Sequence, residues 1–497
     1  MSVTARALAE QRAEGGVRTR ARDHAWALVV WGAMAVWSTV LFTVVRDGFV
    51  NFRIGRYDLG NMVQAVWSTA QGRPLETTDG QTGEQVVRLA SHVDPFLVLL
   101  SPLWVIWPSP LALALAQIVV VASGALPVFW LGRLHLGSER AAALLALGYL
   151  AYPWIGTSAG SAIHPVTFAI PLCLYCIWFL DTDRLLPFAI CAVLVLSTGE
   201  LMGLPIAGLG LWYALARGRR RAGASIALAG ALWSFLAVYV VVPQTRGGAS
   251  VYYGFFERVG GSPQGVARTL VTHPGVVLGA LTEVPDLAYV LWLSVPLLGL
   301  FVLSPWLAAV GLPQVLVNGL SSFPSMTDPR YHSVDAVVPF LIGATVLGVA
   351  RLPRDRRALA AGAVLVCSAI VSPIVGPWPR ALGMAPLGGR PAWPEAHVDA
   401  LRDAVALVPP GASVSASNVA GAQVSARRTI YVAPVVRDAT WAVLDAQDPW
   451  AMSADTPLLA NRPEVVRRLI RRLEADDRWR AVYERDGVFV FRRVGRG

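Results

Sequence analysis

Apolar runs separated by short polar turns fill residues 25–373 of this 497-residue chain. The first runs from about Trp26 to Val45. Others follow near 111–133, 141–156, 165–181, 185–199, 201–216, 223–242, 287–303, 306–320, 333–350 and 358–373. Runs of this length and polarity predict spanning helices. The chain is therefore expected to be an α-helical polytopic membrane protein with about 11 transmembrane helices, several of them nearer fifteen residues than twenty.

Two stretches break the pattern inside a large first external loop, residues 46–110. Residues 58–70 (DLGNMVQAVWSTA) place Leu59, Met62, Val63, Val66 and Trp67 on one helical face, which predicts an amphipathic helix at the membrane surface. Residues 94–107 (DPFLVLLSPLWVIW) are apolar but short and broken by proline, as a re-entrant or interfacial helix would be. Further external loops are expected at 243–285 and 321–332. Beyond Ser372 the composition turns to Pro, Arg, Asp and Glu. There a helix from His397 to Val408, strands at TIYVAP and WAVLDA, a basic helix from Pro463 to Leu473 and a closing hairpin at Asp486-Gly487 predict a small soluble α/β domain. The expected partition is a cytoplasmic tail at 1–24, a transmembrane domain at 25–373 and an extracytoplasmic α/β domain at 374–497.

Composition agrees with this division: 55% of residues are hydrophobic and 15% charged, and the mean hydropathy is +0.52. The net charge of +10 does not indicate nucleic acid, because the arginines sit in short loops beside apolar runs. With the N-terminus inside, the inner loops are 133–140 (RLHLGSER), 181–184 (DTDR), 217–221 (RGRRR), 304–305 and 351–357 (RLPRDRR). Four of these five carry arginine, which satisfies the positive-inside rule. An odd number of spans then places the C-terminal domain outside. No lysine occurs in the chain, which we read as genome composition. Cys173 and Cys176 have C-x-x-C spacing within an apolar helix, where packing outweighs redox or metal chemistry. The basic N-terminal tail leads into a span long enough to stay, so a cleaved signal is not expected.

Candidate chemistry lies where rare ionisable groups fall. Asp58, His92, Asp94, His164, Glu200 and the Arg330–Tyr331–His332 run all map to the external ends of spans or to the joining loops. Charge at that depth is costly and calls for a partner or a function. Asp58 is equally placed to cap a helix. Glu200 in STGELMG has no basic neighbour in sequence and must find one from another loop. His92, Asp94 and His164 are candidate substrate ligands, and Arg330, Tyr331 and His332 could meet a phosphate. Three histidines and three acids could also compose a divalent-metal site, though no spacing is diagnostic.

YDLGNMVQAVWSTAQGRPL, SHVDPFLVLLSPLWVIW, HPVTFAIPL, STGELMG and PRYHSVDAVVPF, in that order, resemble the signatures of a bacterial membrane family known as domain-of-unknown-function family 2079. Two motifs depart from that family: STGE stands where Lys-Glu-Asp is common, and SHVDP where His-Phe-Ser-Pro is usual. The layout in turn resembles the GT-C glycosyltransferases, including the protein mannosyltransferases and the lipid A aminoarabinose transferase. That resemblance implies a bacterial plasma-membrane enzyme moving a sugar from a polyprenyl-phosphate donor to a cell-envelope glycan or protein acceptor. By position it implies Asp58 as catalytic base; Glu200, by its own unpartnered setting, is the second catalytic candidate. Membrane lipids and the lipid-linked sugar are the expected partners, and any cofactor stays open, a divalent metal included. A transporter or flippase of lipid-linked substrates is the rival class. It would show inverted repeats and midplane charges, and neither is visible. A non-catalytic envelope scaffold is the third.

Overall fold

The computed structural model describes residues 3–80, 82–248, 250–378, 393–452 and 459–494, without the side chains of 3–24, 58, 251 and 459. Helices dominate. Among the described residues, four helices are long and apolar enough to cross a membrane: Ala25–Val50, Pro110–Leu136, Arg220–Arg246 and Arg354–Val375. Pro274–Leu281 and Val284–Leu297 form a fifth candidate, bent by 48°. The remaining apolar helices are shorter, among them Pro165–Asp181, Leu185–Leu196, Glu200–Leu215, Pro305–Leu320 and Val338–Ala350. The expected count of about 11 spans is not reached by this measure, because few of the described apolar helices have full spanning length. Prolines and glycines at Pro153, Gly199 and Pro305 cut them short.

The bundle interior is close-packed and apolar, with Trp154, Tyr149, Phe340 and Leu41 fully buried. Gly203–Leu215 and Arg220–Leu236 approach most closely through Gly203, Gly210, Gly223 and Gly230. A Cβ at any of the four would collide with backbone of the facing helix. Small residues replace hydrophobic driving force at such membrane interfaces. This contact brings Trp233 Nε1 within 3.1 Å of the Gly199 carbonyl and Ser234 Oγ within 2.9 Å of the Glu200 carbonyl, fixing the turn that carries Glu200.

The arginine-rich loops meet at one end of the bundle. Asp181, buried at the end of its helix, accepts from His135 Nε2 at 2.7 Å and pairs with Arg217 at 3.2 Å. Arg219 pairs with Asp183, and Arg357 donates to the Leu136 and Ala350 carbonyls. His164 precedes the first residue of the helix that ends at Asp181, so it lies at the opposite end.

At that opposite end the first loop is structured. β1 (Glu76–Thr78) and β2 (Gln85–Val87) form an antiparallel hairpin. The expected surface helix is a π-turn, Arg56–Gly60, continuing as an α-helix, Asn61–Ala70. Its apolar face is buried in protein. Met62, Val63 and Val66 pack with Leu97, Leu100 and Trp104 of the 95–106 segment, while Gln64 on the other side is fully buried against the C-terminal domain.

That domain holds a five-stranded sheet in the order β4 (Ile430–Val432), β3 (Val414–Ala416), β5 (Trp441–Asp445), β9 (Val488–Arg493), β8 (Trp479–Arg485). The first three are mutually parallel, and β9 and β8 are antiparallel additions. β6 (Trp450–Met452) and β7 (Leu459–Asn461) form a separate pair. Helices Glu395–Ala406 and Pro463–Glu474 cover the sheet. The latter buries Val466, Leu469, Ile470 and Leu473 and turns its arginines outward. The β8–β9 hairpin turns through Asp486 and Gly487, both at positive φ, as the Asp-Gly pair predicts.

Candidate functional site

Residues from five separate segments converge at the end of the bundle away from the arginine loops. At the centre His92 bridges two of them. Its Nδ1 lies 3.2 Å from Glu200 Oε1, and its Nε2 lies 2.8 Å from the Tyr252 hydroxyl. The second Glu200 oxygen accepts from the Val93 backbone N–H at 3.1 Å. Both carboxylate oxygens of Glu200 are therefore engaged, and the carboxylate–imidazole–phenol chain holds the ring in one orientation. A carboxylate on Nδ1 favours the tautomer with its proton there and leaves Nε2 basic. The Tyr252 ring also stacks on His92, centroids 4.8 Å apart.

Asp94 is committed elsewhere. Arg88 Nε reaches both of its oxygens at 2.9 and 2.8 Å, and the Arg88 Nη2–Asp94 contact is 2.7 Å. Both side chains are buried. Burial alone would lower the guanidinium pKa, but the Asp94 carboxylate outweighs it and holds Arg88 above its ordinary value.

The third component is a pair of stacked imidazoles. His164 and His332 lie face to face, centroids 3.9 Å apart. His164 is buried and its backbone N–H donates to Gln117 Oε1 at 3.0 Å. Burial, with His332 and then Arg88 and His92 nearby, pushes its pKa well down. His332 is partly exposed, yet protein surrounds its ring on the side of His164. That enclosure, with His92 and Arg88, pushes it down to about 4. Two neutral rings can stack this closely where two imidazolium ions would repel. Beneath them Asp335 is fully buried and accepts from Ser158 Oγ and Thr167 Oγ1, both at 2.6 Å. Burial raises its pKa to about 7, only partly offset by the two hydroxyls.

His92, Asp94, His164, Glu200 and His332 thus gather as one cluster. Asp58 lies on the π-turn between the first span and the 61–70 helix, and its side chain is outside the described residues. Arg330 and Tyr331 are exposed beside the cluster, with Arg330 paired to Asp328 at 2.6 Å. Sequence reasoning missed Arg88, Tyr252 and Asp335. Arg88 is one of five arginines in the 46–110 loop, and nothing in the sequence singles it out. Asp335 stood inside PRYHSVDAVVPF, while Tyr252 in VYYGFFERV had none beyond its aromatic setting. Among the described residues no group of three or more His, Cys, Asp or Glu could hold a metal ion. The likeliest donors already bind one another or Arg88.

No curated protein matches the chain. Two crystal structures of ArnT from Cupriavidus metallidurans are similar to the chain. The one bound to undecaprenyl phosphate has a TM-score of 0.50 at 12% identity, covering 93% of this chain and 98% of that one. The apo structure has a TM-score of 0.49 at 13% identity with the same coverage. A family described as predicted membrane protein, DUF2079, matches residues 49–490. By that match, spanning nearly the whole chain, the protein belongs to the DUF2079 family of membrane proteins.

Proposed function

We propose that this protein is a membrane glycosyltransferase that moves a sugar from a polyprenyl-phosphate donor to a cell-envelope acceptor on the outer face of the bacterial membrane. The observation that carries the reading is the convergence of His92, Glu200, His164, His332 and Arg88 at the end of the bundle opposite the arginine loops. An ArnT structure of the same fold was solved bound to undecaprenyl phosphate, which suits a lipid phosphate as the ligand of such a cluster. In this reading the arginine loops and the N-terminus face the cytoplasm, and the C-terminal domain stands outside.

The donor's tail lies between helices and its phosphate meets His164 and His332, with Arg330 and Tyr331 at the rim. Asp58 faces the acceptor hydroxyl and takes its proton as the new glycosidic bond forms and the donor phosphate leaves. Glu200 orients His92, whose Nε2 can exchange the Tyr252 hydroxyl for a substrate hydroxyl. Hydrogen-bond donors held in place beside a departing phosphate stabilise the charge that develops there.

The test uses right-side-out vesicles supplied with labelled undecaprenyl-phosphate sugars. Wild type should move label to envelope material. Asp58→Asn keeps size and capping ability but should lose about 10²–10⁴-fold in transfer, with the protein still folded. Equal product from both would remove Asp58 from the mechanism. No product from any such donor would favour transport or scaffolding.

A further inference from the structure

The parallel sheet of the C-terminal domain ends on one side at β4, and an open edge strand needs covering. The first external loop covers it with side chains. Arg56 donates to the Ile430 carbonyl at 3.1 Å, and Thr78 Oγ1 accepts from the Ile430 N–H at 3.2 Å. Gln64 Nε2 donates to the Arg427 and Arg428 carbonyls at 3.1 and 2.8 Å. Beside Arg56 on the π-turn, Asn418 Oδ1 accepts from the Tyr57 N–H at 2.9 Å, the amide directly before that of Asp58.

Two features distinguish this contact from ordinary packing. The first is tightness. A Cβ at Gly55 would overlap the Asn418 carboxamide, one at Gly60 the Ser425 hydroxyl, and one at Gly421 the Arg56 side chain. The second is Arg56, wholly buried, whose described partners Asn61, Gln64 and Ile430 are all neutral. Burial lowers its pKa to about 10. A buried guanidinium without a counter-charge is costly; here Nη1 and Nη2 are met from both sides of the contact, by Asn61 and Gln64 and by the Ile430 carbonyl, while Nε has no hydrogen-bond partner. π-turns are rare and are found disproportionately at functional positions.

We infer that the C-terminal domain is a clamp that sets the position of the Tyr57–Asp58 turn, with Asn418 and Arg56 as positioning residues. This rests on the reading of Asp58 as the acceptor's base. The domain's edge and the start of its 418–423 helix serve this chain's own first loop, so the two form one working unit. Donor binding, assigned to the histidine pair, should be insensitive to the clamp, while transfer should depend on it.

The test compares full-length wild type, Asn418→Ala and Asn418→Asp in nanodiscs. Asn418→Ala removes the acceptor oxygen; Asn418→Asp keeps it at a helix start, where a carboxylate is tolerated. Hydrogen exchange of the peptide covering 52–62 should rise about tenfold in the alanine variant, the scale of one lost hydrogen bond, and return toward wild type in the aspartate variant. Undecaprenyl phosphate binding should change less than about twofold, and transfer from the labelled donor should fall in kcat with donor KM kept. Unchanged exchange at 52–62 overturns the clamp, whatever reaction the protein performs. Exchange rising equally across the bundle overturns local positioning, and faster exchange with undiminished transfer overturns its functional role. The exchange arm needs no reaction, so failure of the clamp and failure of the glycosyltransferase reading are told apart.

Discussion

Truncating Asp94 should destabilise the outer end of the bundle more than its single ion pair suggests. Arg88 and Asp94 have side-chain exposures of only 8% and 3%, and three N–O contacts between 2.7 and 2.9 Å join them. Asp94→Ala leaves a guanidinium desolvated, with Glu200 its next acidic neighbour, and Glu200 is already bound to His92 and Val93. Removing one partner of a buried pair costs about 3–5 kcal/mol, because the other charge stays uncompensated. Replacing both by apolar residues of similar volume is often neutral. Arg88→Met with Asp94→Leu should therefore recover most of what either single truncation loses. The assay is the thermal unfolding midpoint in one detergent for all members of the cycle, since a chain of this size need not unfold in one step. A double variant as unstable as the sum of Asp94→Ala and Arg88→Ala would refute the reasoning. So would an Asp94→Ala midpoint no lower than that of a variant breaking an exposed pair such as Arg402–Asp399.

Two pH dependences follow from the same site. His164 and His332 are held neutral near pH 7, and a bound phosphate would favour their charged forms. Binding then takes up protons, so affinity for undecaprenyl phosphate should rise as pH falls from about 8 to about 6. Titration calorimetry of wild type against His164→Gln/His332→Gln should show a flatter profile in the variant, and superimposable profiles would oppose the assignment. Asp335 has a folded pKa of about 7, above its ordinary 3.8. Its contribution to stability is fully present below pH 3.8 and is lost as pH rises through about 7. Asp335→Asn should therefore gain on wild type between pH 5 and pH 7, by up to about 3 kcal/mol, with little further change to pH 8. Parallel stability–pH curves for the two proteins would show that the carboxyl does not titrate as stated.

Much of the architecture was legible because hydrophobic period and turn chemistry are local signals. The apolar runs, the helix at His397 and the Asp486-Gly487 hairpin all fall where pattern and propensity put them. Helix length was less legible, because the glycine contacts between 203–215 and 220–236 and the bend in 274–297 are properties of pairs. The 58–70 segment shows how a correct amphipathic reading can mislead. Its apolar face is real, but its polar face meets the edge of a sheet some 350 residues onward instead of water. Glu200 was read as needing a partner from another loop, and His92 is that partner. Asp94 was taken for a substrate ligand because Arg88 carries no mark in sequence of lying beside it.

The central claim is that the outer cluster receives a polyprenyl phosphate. The most direct measurement is a cryo-electron density map of the protein in nanodiscs with saturating undecaprenyl phosphate. The account predicts phosphate density within hydrogen-bond reach of His164 or His332, with the lipid tail running between helices toward the bilayer. Phosphate density at the Arg217–Arg357 end, or a map with no added density at the cluster, would contradict it.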